Sequence, residues 1–490
     1  MPRNGAACIL ATRRGKIRQA DCHRVIVRPF IPGGEERVRS IIKRVMTLSE
    51  DEVTSLLNQV MEEFAYRHRR FIESLQRNYE LIAGYVPEDA KVSESRRLLL
   101  GAYFTNEYSI QSAGVLNPSI VPHPDQENLP VDHARYLITF RCVGEGHISS
   151  LEFRSCVLDD KYRIMTRPLS CHIETPEWIP TETYNRALFE AQLKSRGMAG
   201  KFLRVIVDRL PEDFTLKQLD KVIEEAEVQR TFPKRFRSAI REVLGWLSKN
   251  VYTVQFRSDT RISGRVLFPA AENECRGIED ARFVRFTDDD GTVTYYGTYT
   301  GYNGFTIASK ILETDDFLKF KSTTLVGRAA RNKGLALFPR RINGRYAALA
   351  RMDNESNYVA YTDNIYCWEE AQLIRGPLSP WEFVQIGNGG SPIETEAGWL
   401  VVTHGVGPMR KYCLGVDLLD LNDPSRLIGR TQEPILAPNE YEREGYVPNV
   451  VYTCGAVIHR DELIITYAMS DWESGLASIP VKDLINRCLL

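Results

Sequence analysis

Two adjacent carboxylates, Glu279 and Asp280, lie in the stretch Cys275-Arg-Gly-Ile-Glu-Asp-Ala-Arg-Phe-Val284, between the guanidiniums of Arg276 and Arg282. In an extended segment neighbouring side chains leave opposite faces. This spacing therefore presents one carboxylate to a cleft and leaves the other to pair with Arg276 or Arg282. One presented and one anchored carboxylate suit acid/base work on a polar substrate. The same ten residues also describe a surface turn with ion pairs, which contribute little to stability.

Composition narrows the setting for that chemistry. The chain has 490 residues, with 63 Lys plus Arg against 64 Asp plus Glu and a net charge of -1. That balance offers no broad basic surface for nucleic acid or an acidic membrane. With 43% hydrophobic and 10% aromatic residues, the chain can bury a large core. Its length fits several domains, or one repeat fold with additions. No apolar run reaches the roughly 18–20 residues that span a bilayer. The short patch Cys8-Ile9-Leu10 is followed, not preceded, by Arg13, Arg14 and Lys16, which makes a poor secretory signal. The ten cysteines form no C-x-x-C pair and read as reduced thiols of a cytoplasmic protein. No H-E-x-x-H or Cys/His cluster points to a metal, and no glycine-rich phosphate loop points to a nucleotide.

The elements that must hold the carboxylates are mostly strands. Residues from about 35 to 83 read as helical, with Ser49 and Glu52 as a capping box and Leu56, Val60 and Phe64 at helical spacing. From about residue 95 short β-rich runs take over. Examples are Tyr136-Leu-Ile-Thr-Phe-Arg-Cys142, Val293-Thr-Tyr-Tyr-Gly-Thr-Tyr299, Gly398-Trp-Leu-Val-Val-Thr-His404 and Glu462-Leu-Ile-Ile-Thr-Tyr467. Turn signals such as Asp289-Asp290-Gly291 and Asn343-Gly344 precede several of them. They return roughly every 50–65 residues in the C-terminal half, the spacing of four-stranded propeller blades. A helical segment over 186–249 interrupts them as an insertion between blades. The expected architecture is mainly β: an N-terminal segment with a helical arm over 1–94, then a β-propeller over 95–490 carrying that insertion. An exposed amphipathic arm leaves room for a homo-oligomer.

The run Gly277-Ile-Glu-Asp-Ala-Arg282 resembles the Gly-x-Glu-Asp-Pro-Arg signature of glycoside hydrolase family 130, the β-mannoside phosphorylases and mannosidases. Other segments agree in order, among them Asn117-Pro-Ser-Ile120, Tyr299-Thr-Gly-Tyr-Asn303, Lys333-Gly-Leu-Ala-Leu-Phe-Pro339, His404-Gly-Val406, Gly445-Tyr-Val-Pro-Asn-Val450 and Tyr467-Ala-Met-Ser-Asp471. The resemblance covers roughly 95–490, outside the arm and the insertion. It implies a five-bladed β-propeller with the active site in its central depression, and Asp280 as the general acid. In such enzymes the proton reaches the departing oxygen through the mannose 3-hydroxyl. Orthophosphate then attacks the opposite face, giving α-mannose 1-phosphate. Phosphate is a co-substrate that needs no enzymic base, and no cofactor or metal is implied.

Matching positions imply a phosphate pocket from Arg141, Lys333 and His404, to which Arg282 and Arg351 are added. Arg141 lies in an apolar run, where a buried guanidinium is costly unless paired. Lys333 equally fits a solvated basic turn, and His404 a structural histidine. Glu279, Tyr302, Asn303 and Asp471 are the expected sugar contacts; a turn cap is the ordinary alternative for Asp471. Tyr296, Tyr299 and Tyr446 could stack on a sugar or simply fill the core. Three departures stand out: Ala281 where the signature has proline, Asn303 where an aspartate is usual, and the arm and insertion, which lengthen the chain beyond compact members and reshape the expected acceptor side.

The expected function is inverting phosphorolysis of β-linked manno-oligosaccharides. Its nearest rival is a β-mannosidase, which must deprotonate water with a second carboxylate about 6.5–9.5 Å from the acid. Glu145 and Glu394 are the candidate bases. A non-catalytic carbohydrate-binding propeller is the third reading. The sequence leaves the linkage and the acceptor sugar open.

Overall fold

The computed structural model describes residues 11–198, 200–228 and 234–489; the patch Cys8-Ile9-Leu10 lies outside them. Among the described residues the chain is mainly β: besides two small antiparallel pairs (Val25–Pro29 with Thr105–Ser109, and Tyr184–Asn185 with Asp213–Phe214), its strands form five successive antiparallel groups, the first two within one sheet. The first runs through Gly114–Pro122, Ala134–Val143 and Ser149–Leu158. The second runs through Gly277–Thr287, Val293–Tyr302, Ile307–Thr314 and Lys319–Thr324. A single parallel pair, Gly277 with Ser149, joins these two. The third spans 336–375 and the fourth 385–430. The last comprises Val451–His459, Glu462–Met469 and Glu473–Pro480.

Strands buried on both faces read as continuous apolar runs, and Gly398–Val406 is buried at every residue. That double burial arises because each core is shared by two consecutive groups. Phe153 packs with Phe283 and Phe320, Val284 with Leu337 and Ala348, and Leu349 with Trp399 and Val401. Leu400 and Val402 pack with Leu463 and Ile465. Ile464 and Leu476 of the last group then pack with Ile138 and Phe140 of the first.

The N-terminal segment is not wholly separate from this body. Thr12–Gln19 pairs antiparallel with Glu473–Pro480 and completes the last sheet. Its sequence, TRRGKIRQ, is mostly exposed and carries no apolar signal. Helices α1 (Glu35–Met46), α2 (Glu50–Phe64), α3 (Phe71–Glu80) and α4 (Glu94–Tyr103) follow. They share a core that includes Val38, Ile42, Val53, Leu99 and Leu100. The Ser49–Glu52 capping box opens α2. Because α4 belongs to this core, the switch to strands comes at Thr105, later than the expected residue 95.

Helices α5 (Arg186–Ser195), α6 (Lys201–Val207), α7 (Leu216–Val228) and α8 (Lys234–Asn250) form the insertion. They have their own core of Leu188, Phe189, Leu219 and Val243. Helix α8 leans on strand Lys319–Thr324 and on the turn Glu272–Glu274 that leads into the Glu279-Asp280 strand. A last helix, α9 (Val481–Leu489), closes the chain. Among the described residues no helix is long and apolar enough to cross a membrane.

Candidate active site

Strand Gly277–Thr287 pairs regularly with Val293–Tyr302 except at one point. Glu279 faces Thr300 and Arg282 faces Thr298, so Asp280 and Ala281 together oppose Tyr299. Two residues against one is a β-bulge, which re-aims side chains at the edge of a sheet. Asp280 has φ 54, in the left-handed region that aspartate tolerates better than most residues. The expected split of the two carboxylates to opposite faces is therefore wrong. The bulge turns both onto one guanidinium: Arg141 Nη2 donates to Glu279 Oε1 at 2.8 Å and Nη1 to Asp280 Oδ1 at 3.0 Å. Glu279 is anchored by Arg141 and by Lys333 Nζ at 2.6 Å, not by Arg276 or Arg282.

A second residue reaches the same oxygen of Asp280. Asn117 Nδ2 donates to Oδ1 at 2.7 Å. Asn117 also has a positive φ, 49, at a register shift in strand Gly114–Pro122. The two irregular strands are held together where Ser119 Oγ accepts the Phe283 N–H at 3.0 Å. Asp280 and its donor Asn117 thus come from two strands whose regular pairing breaks at the point of contact.

Arg282 faces a different neighbourhood. Its Nε donates to Asn388 Oδ1 at 3.1 Å, Nη2 to Tyr452 Oη at 2.8 Å and Nη1 to the Asp280 carbonyl at 3.0 Å. Asn388 Nδ2 in turn holds the Gly334 carbonyl at 2.5 Å. Arg351 is spent only in part: Nη2 donates to the Asn354 carbonyl at 2.8 Å, while its buried Nε has no partner. His404 Nδ1 lies 3.2 Å from the Asn388 carbonyl. A carbonyl only accepts, so Nδ1 carries the proton and the buried, unpartnered Nε2 keeps its lone pair. The imidazole lies against Tyr452, with ring centroids 4.8 Å apart. Gly387 is what lets it sit there, since a Cβ at that residue would come within 2.4 Å of the His404 ring.

The electrostatics separate the groups further. Burial pushes Asp280 up, but Arg141, then Arg282 and Lys333, outweigh it and hold the carboxyl at about 2. Asp471, also facing Arg141, goes the other way: burial, aided by Asp280, raises it to about 6. Burial, then Arg351 and Arg282, drive His404 well below its ordinary value, so the ring is neutral at pH 7. Burial, with Arg282 nearby, lowers Arg351.

Other expected residues stand apart from this cluster. Asn303 Oδ1 accepts the N–H groups of Phe305 (3.0 Å) and Thr306 (2.8 Å), and Tyr302 Oη donates to the Gly304 carbonyl at 2.8 Å. Both side chains are thus engaged within their own hairpin turn. Tyr299 is buried on Glu274 and Tyr296 packs on Phe286, while the exposed Tyr446 meets His147. Of the candidate bases, Glu145 is exposed in a short turn and Glu394 pairs with Arg340 at 2.7 Å. Neither is hydrogen-bonded into the Asp280 cluster. Asn117, Asn388 and Tyr452 were not singled out from the sequence. Asn117 had a signal, as the first residue of an Asn-Pro pair at a strand irregularity; Asn388 and Tyr452 carry none.

Known proteins match this chain across the same region. A family profile described as beta-1,4-mannooligosaccharide phosphorylase, that of glycoside hydrolase family 130, matches residues 257–489. A 1,2-beta-oligomannan phosphorylase of Thermoanaerobacter sp. (strain X514) is 37% identical over 228 residues, 46% of this chain and 75% of that protein. The chain belongs to glycoside hydrolase family 130. A beta-1,2-mannobiose phosphorylase of Listeria innocua is 32% identical over 231 residues, 45% of this chain and 62% of the relative. The solved structure of a Listeria innocua beta-1,2-mannobiose phosphorylase with beta-1,2-mannobiose aligns over 77% of this chain and 92% of its own, with 21% identity and a TM-score of 0.46. The family profile contains Asp280, Arg282, Lys333, Arg351, His404, Tyr452 and Asp471 within its span. Arg141 and Asn117 lie N-terminal to it.

Proposed function

We propose that this family 130 chain catalyses inverting phosphorolysis of β-mannosides, releasing α-mannose 1-phosphate and a shortened acceptor. The observation that carries the reading is the division of the cations around Asp280. Arg141 and Lys333 are bound to carboxylates, whereas among the described residues Arg282, Arg351 and the neutral His404 beside them are hydrogen-bonded to none. Guanidiniums with uncommitted N–H groups beside an acid are suited to bind phosphate. We take the five strand groups, with the last sharing a core with the first, as five blades of a propeller whose inner strands enclose this site. The cysteines among the described residues are all unpaired, which suits a reducing, cytoplasmic setting.

The reaction follows from those positions. Phosphate, held by Arg282, Arg351 and the spare N–H groups of Lys333 and donating its own O–H to the His404 Nε2 lone pair, attacks the anomeric carbon as the glycosidic C–O bond breaks on the opposite face. Asp280 gives its proton to the mannose 3-hydroxyl, which passes its own to the departing oxygen. Held by these cations alone, Asp280 is ionised at neutral pH. Bound phosphate offsets the charge of the cations that hold it down and adds negative charge nearby, and both effects raise a carboxyl. Phosphate thus brings in the nucleophile and also favours protonation of the acid. Asp471 lies within the electrostatic reach of Arg141 and Asp280, and the negative charge of Asp280 helps to raise it.

The test is to incubate the protein with β-1,2-, β-1,3- and β-1,4-mannobiose, with and without orthophosphate, and to measure sugar phosphate and free mannose. The β-1,2 dimer comes first, because the two relatives described above carry β-1,2 names. Sugar phosphate that appears only with phosphate is the expected result. Free mannose at equal rates in both conditions would establish a hydrolase.

A further inference from the structure

A second basic cluster lies on the other side of the first sheet. Arg154 pairs across strands with Ile138, and Arg141 with Leu151. Those positions differ by three residues, an odd number, so Arg154 and Arg141 leave opposite faces. Arg154 is only 6% exposed, and among the described residues its Nε and Nη2 have no hydrogen-bond partner. Its neighbours are already committed: Arg24 to Glu152 and the Ser263 carbonyl, and Arg18 to Gln111. Burial, together with the charge of Arg18, pulls Arg154 down to about 10. It still carries its charge at neutral pH, in surroundings that oppose it.

Arg154 lines a pocket of about 420 Å³ together with Arg135, Arg167, Arg261 and His123. Arg135 is also buried; it is tied to Asp125 and the Glu127 carbonyl, yet its Nε is unpartnered. His123 Nδ1 lies 2.9 Å from the Asp125 backbone nitrogen and 3.1 Å from its carbonyl, which fixes the ring in the lining. Arg167 and Arg261 are exposed at the rim. Asp125 is the one carboxylate in the lining, and Arg135 already holds it.

We propose that this pocket is a second anion site, separate from the active site, which takes a compact phosphate monoester. Buried guanidinium N–H groups without partners call for an oxyanion able to accept several charge-assisted hydrogen bonds. The surroundings limit its size. The adjoining cleft shares Arg135 and Arg167 but also carries Asp315, Asp316 and Glu127. Those carboxylates repel a long polyanion such as nucleic acid that would run from one cleft into the next, while a small ligand stays within the arginines.

The experiment is calorimetric titration of the full chain with glucose 6-phosphate at low salt, on wild type, Arg154→Gln, the rim variant Arg167→Ala/Arg261→Ala and the active-site variant Arg351→Ala. The rim residues are exposed, so that double variant tests the site even if Arg154→Gln fails to fold. The expected result is one equivalent bound by wild type and by Arg351→Ala. Binding should weaken roughly 10-fold or more in the Arg154 and rim variants, the loss expected for charged hydrogen bonds. Phosphorolysis by the rim variant should be unchanged. The proposal is overturned by no binding to wild type, by binding lost in Arg351→Ala but kept in the rim variant, or by full competition from a short oligonucleotide.

Discussion

Two ion-pair clusters sit six residues apart on the same stretch of chain, and they are built in opposite ways. Glu274 and Lys310 are fully buried and 2.9 Å apart. Glu274 Oε1 accepts Tyr252 Oη at 2.7 Å and the Ala270 N–H at 3.1 Å, and Oε2 accepts Tyr299 Oη at 2.7 Å. Lys310 adds a bond to Asn273 at 3.1 Å. Burial raises Glu274, yet Lys310 and the tyrosines outweigh it, so the pair stays ionised. Glu279 and Asp280 face Arg141 and Lys333 with spare capacity. Both donors to the Asp280 carboxylate reach Oδ1, and among the described residues none is hydrogen-bonded to Oδ2. Lys333 is 44% exposed. A saturated buried pair holds the turn that leads into the strand; the unsaturated pair has valence left for a ligand. Net charge does not separate the two, but unused hydrogen-bonding capacity does.

The largest effect expected from that contrast is on turnover. Asp280→Asn should lower kcat by about 10³-fold or more, in the range of general-acid loss, with little change in Tm. Near-normal turnover would remove Asp280 from the acid role. Lys310→Ala should do the reverse, because it leaves Glu274 charged and buried. The expected cost is about 3–5 kcal/mol of stability, read by urea unfolding. A variant as stable as wild type would show that the pair is not what holds the turn.

A smaller effect is expected at the exposed partner. Lys333→Ala should raise the KM for phosphate about 10-fold or more, with a lesser change for the mannoside, as loss of a charged contact predicts. Equal changes in both would assign Lys333 to the sugar. The smallest effect concerns Asp471. Its folded value of about 6 lies above the ordinary carboxyl value near 4. The fold therefore binds its proton more tightly than the unfolded chain does. That stability is present below about pH 4 and is lost as pH rises through 6. Asp471→Asn should flatten the fall in Tm between pH 5 and pH 8. An unchanged slope would mean that Asp471 does not titrate in this range.

The legibility of the chain in its sequence follows the same division. Apolar runs such as Gly398–His404 announced strands, and the segment 186–249 read as helical, because burial leaves a pattern. The edge strand Thr12–Gln19 left none: its side chains are mostly exposed, and it is held by its backbone ladder and by polar contacts such as Arg13 with Glu442, not by an apolar face. At the site, Glu279, Asp280, Arg141 and Lys333 were legible as residue types, but their meeting was not. It depends on a bulge and two positive φ angles, at Asn117 and Asp280, which strand periodicity cannot encode. Asn388 and Tyr452 were invisible because an isolated amide or phenol is common, and only long-range contact gives either one its place against Arg282.

The most direct measurement is proton and phosphorus NMR of β-1,2-mannobiose with orthophosphate, comparing wild type with Asp280→Asn. The account predicts α-mannose 1-phosphate as the first product of wild type, growing in step with free acceptor and nearly absent from the variant. A β-configured sugar phosphate, or free mannose released at the same rate without phosphate, would contradict it.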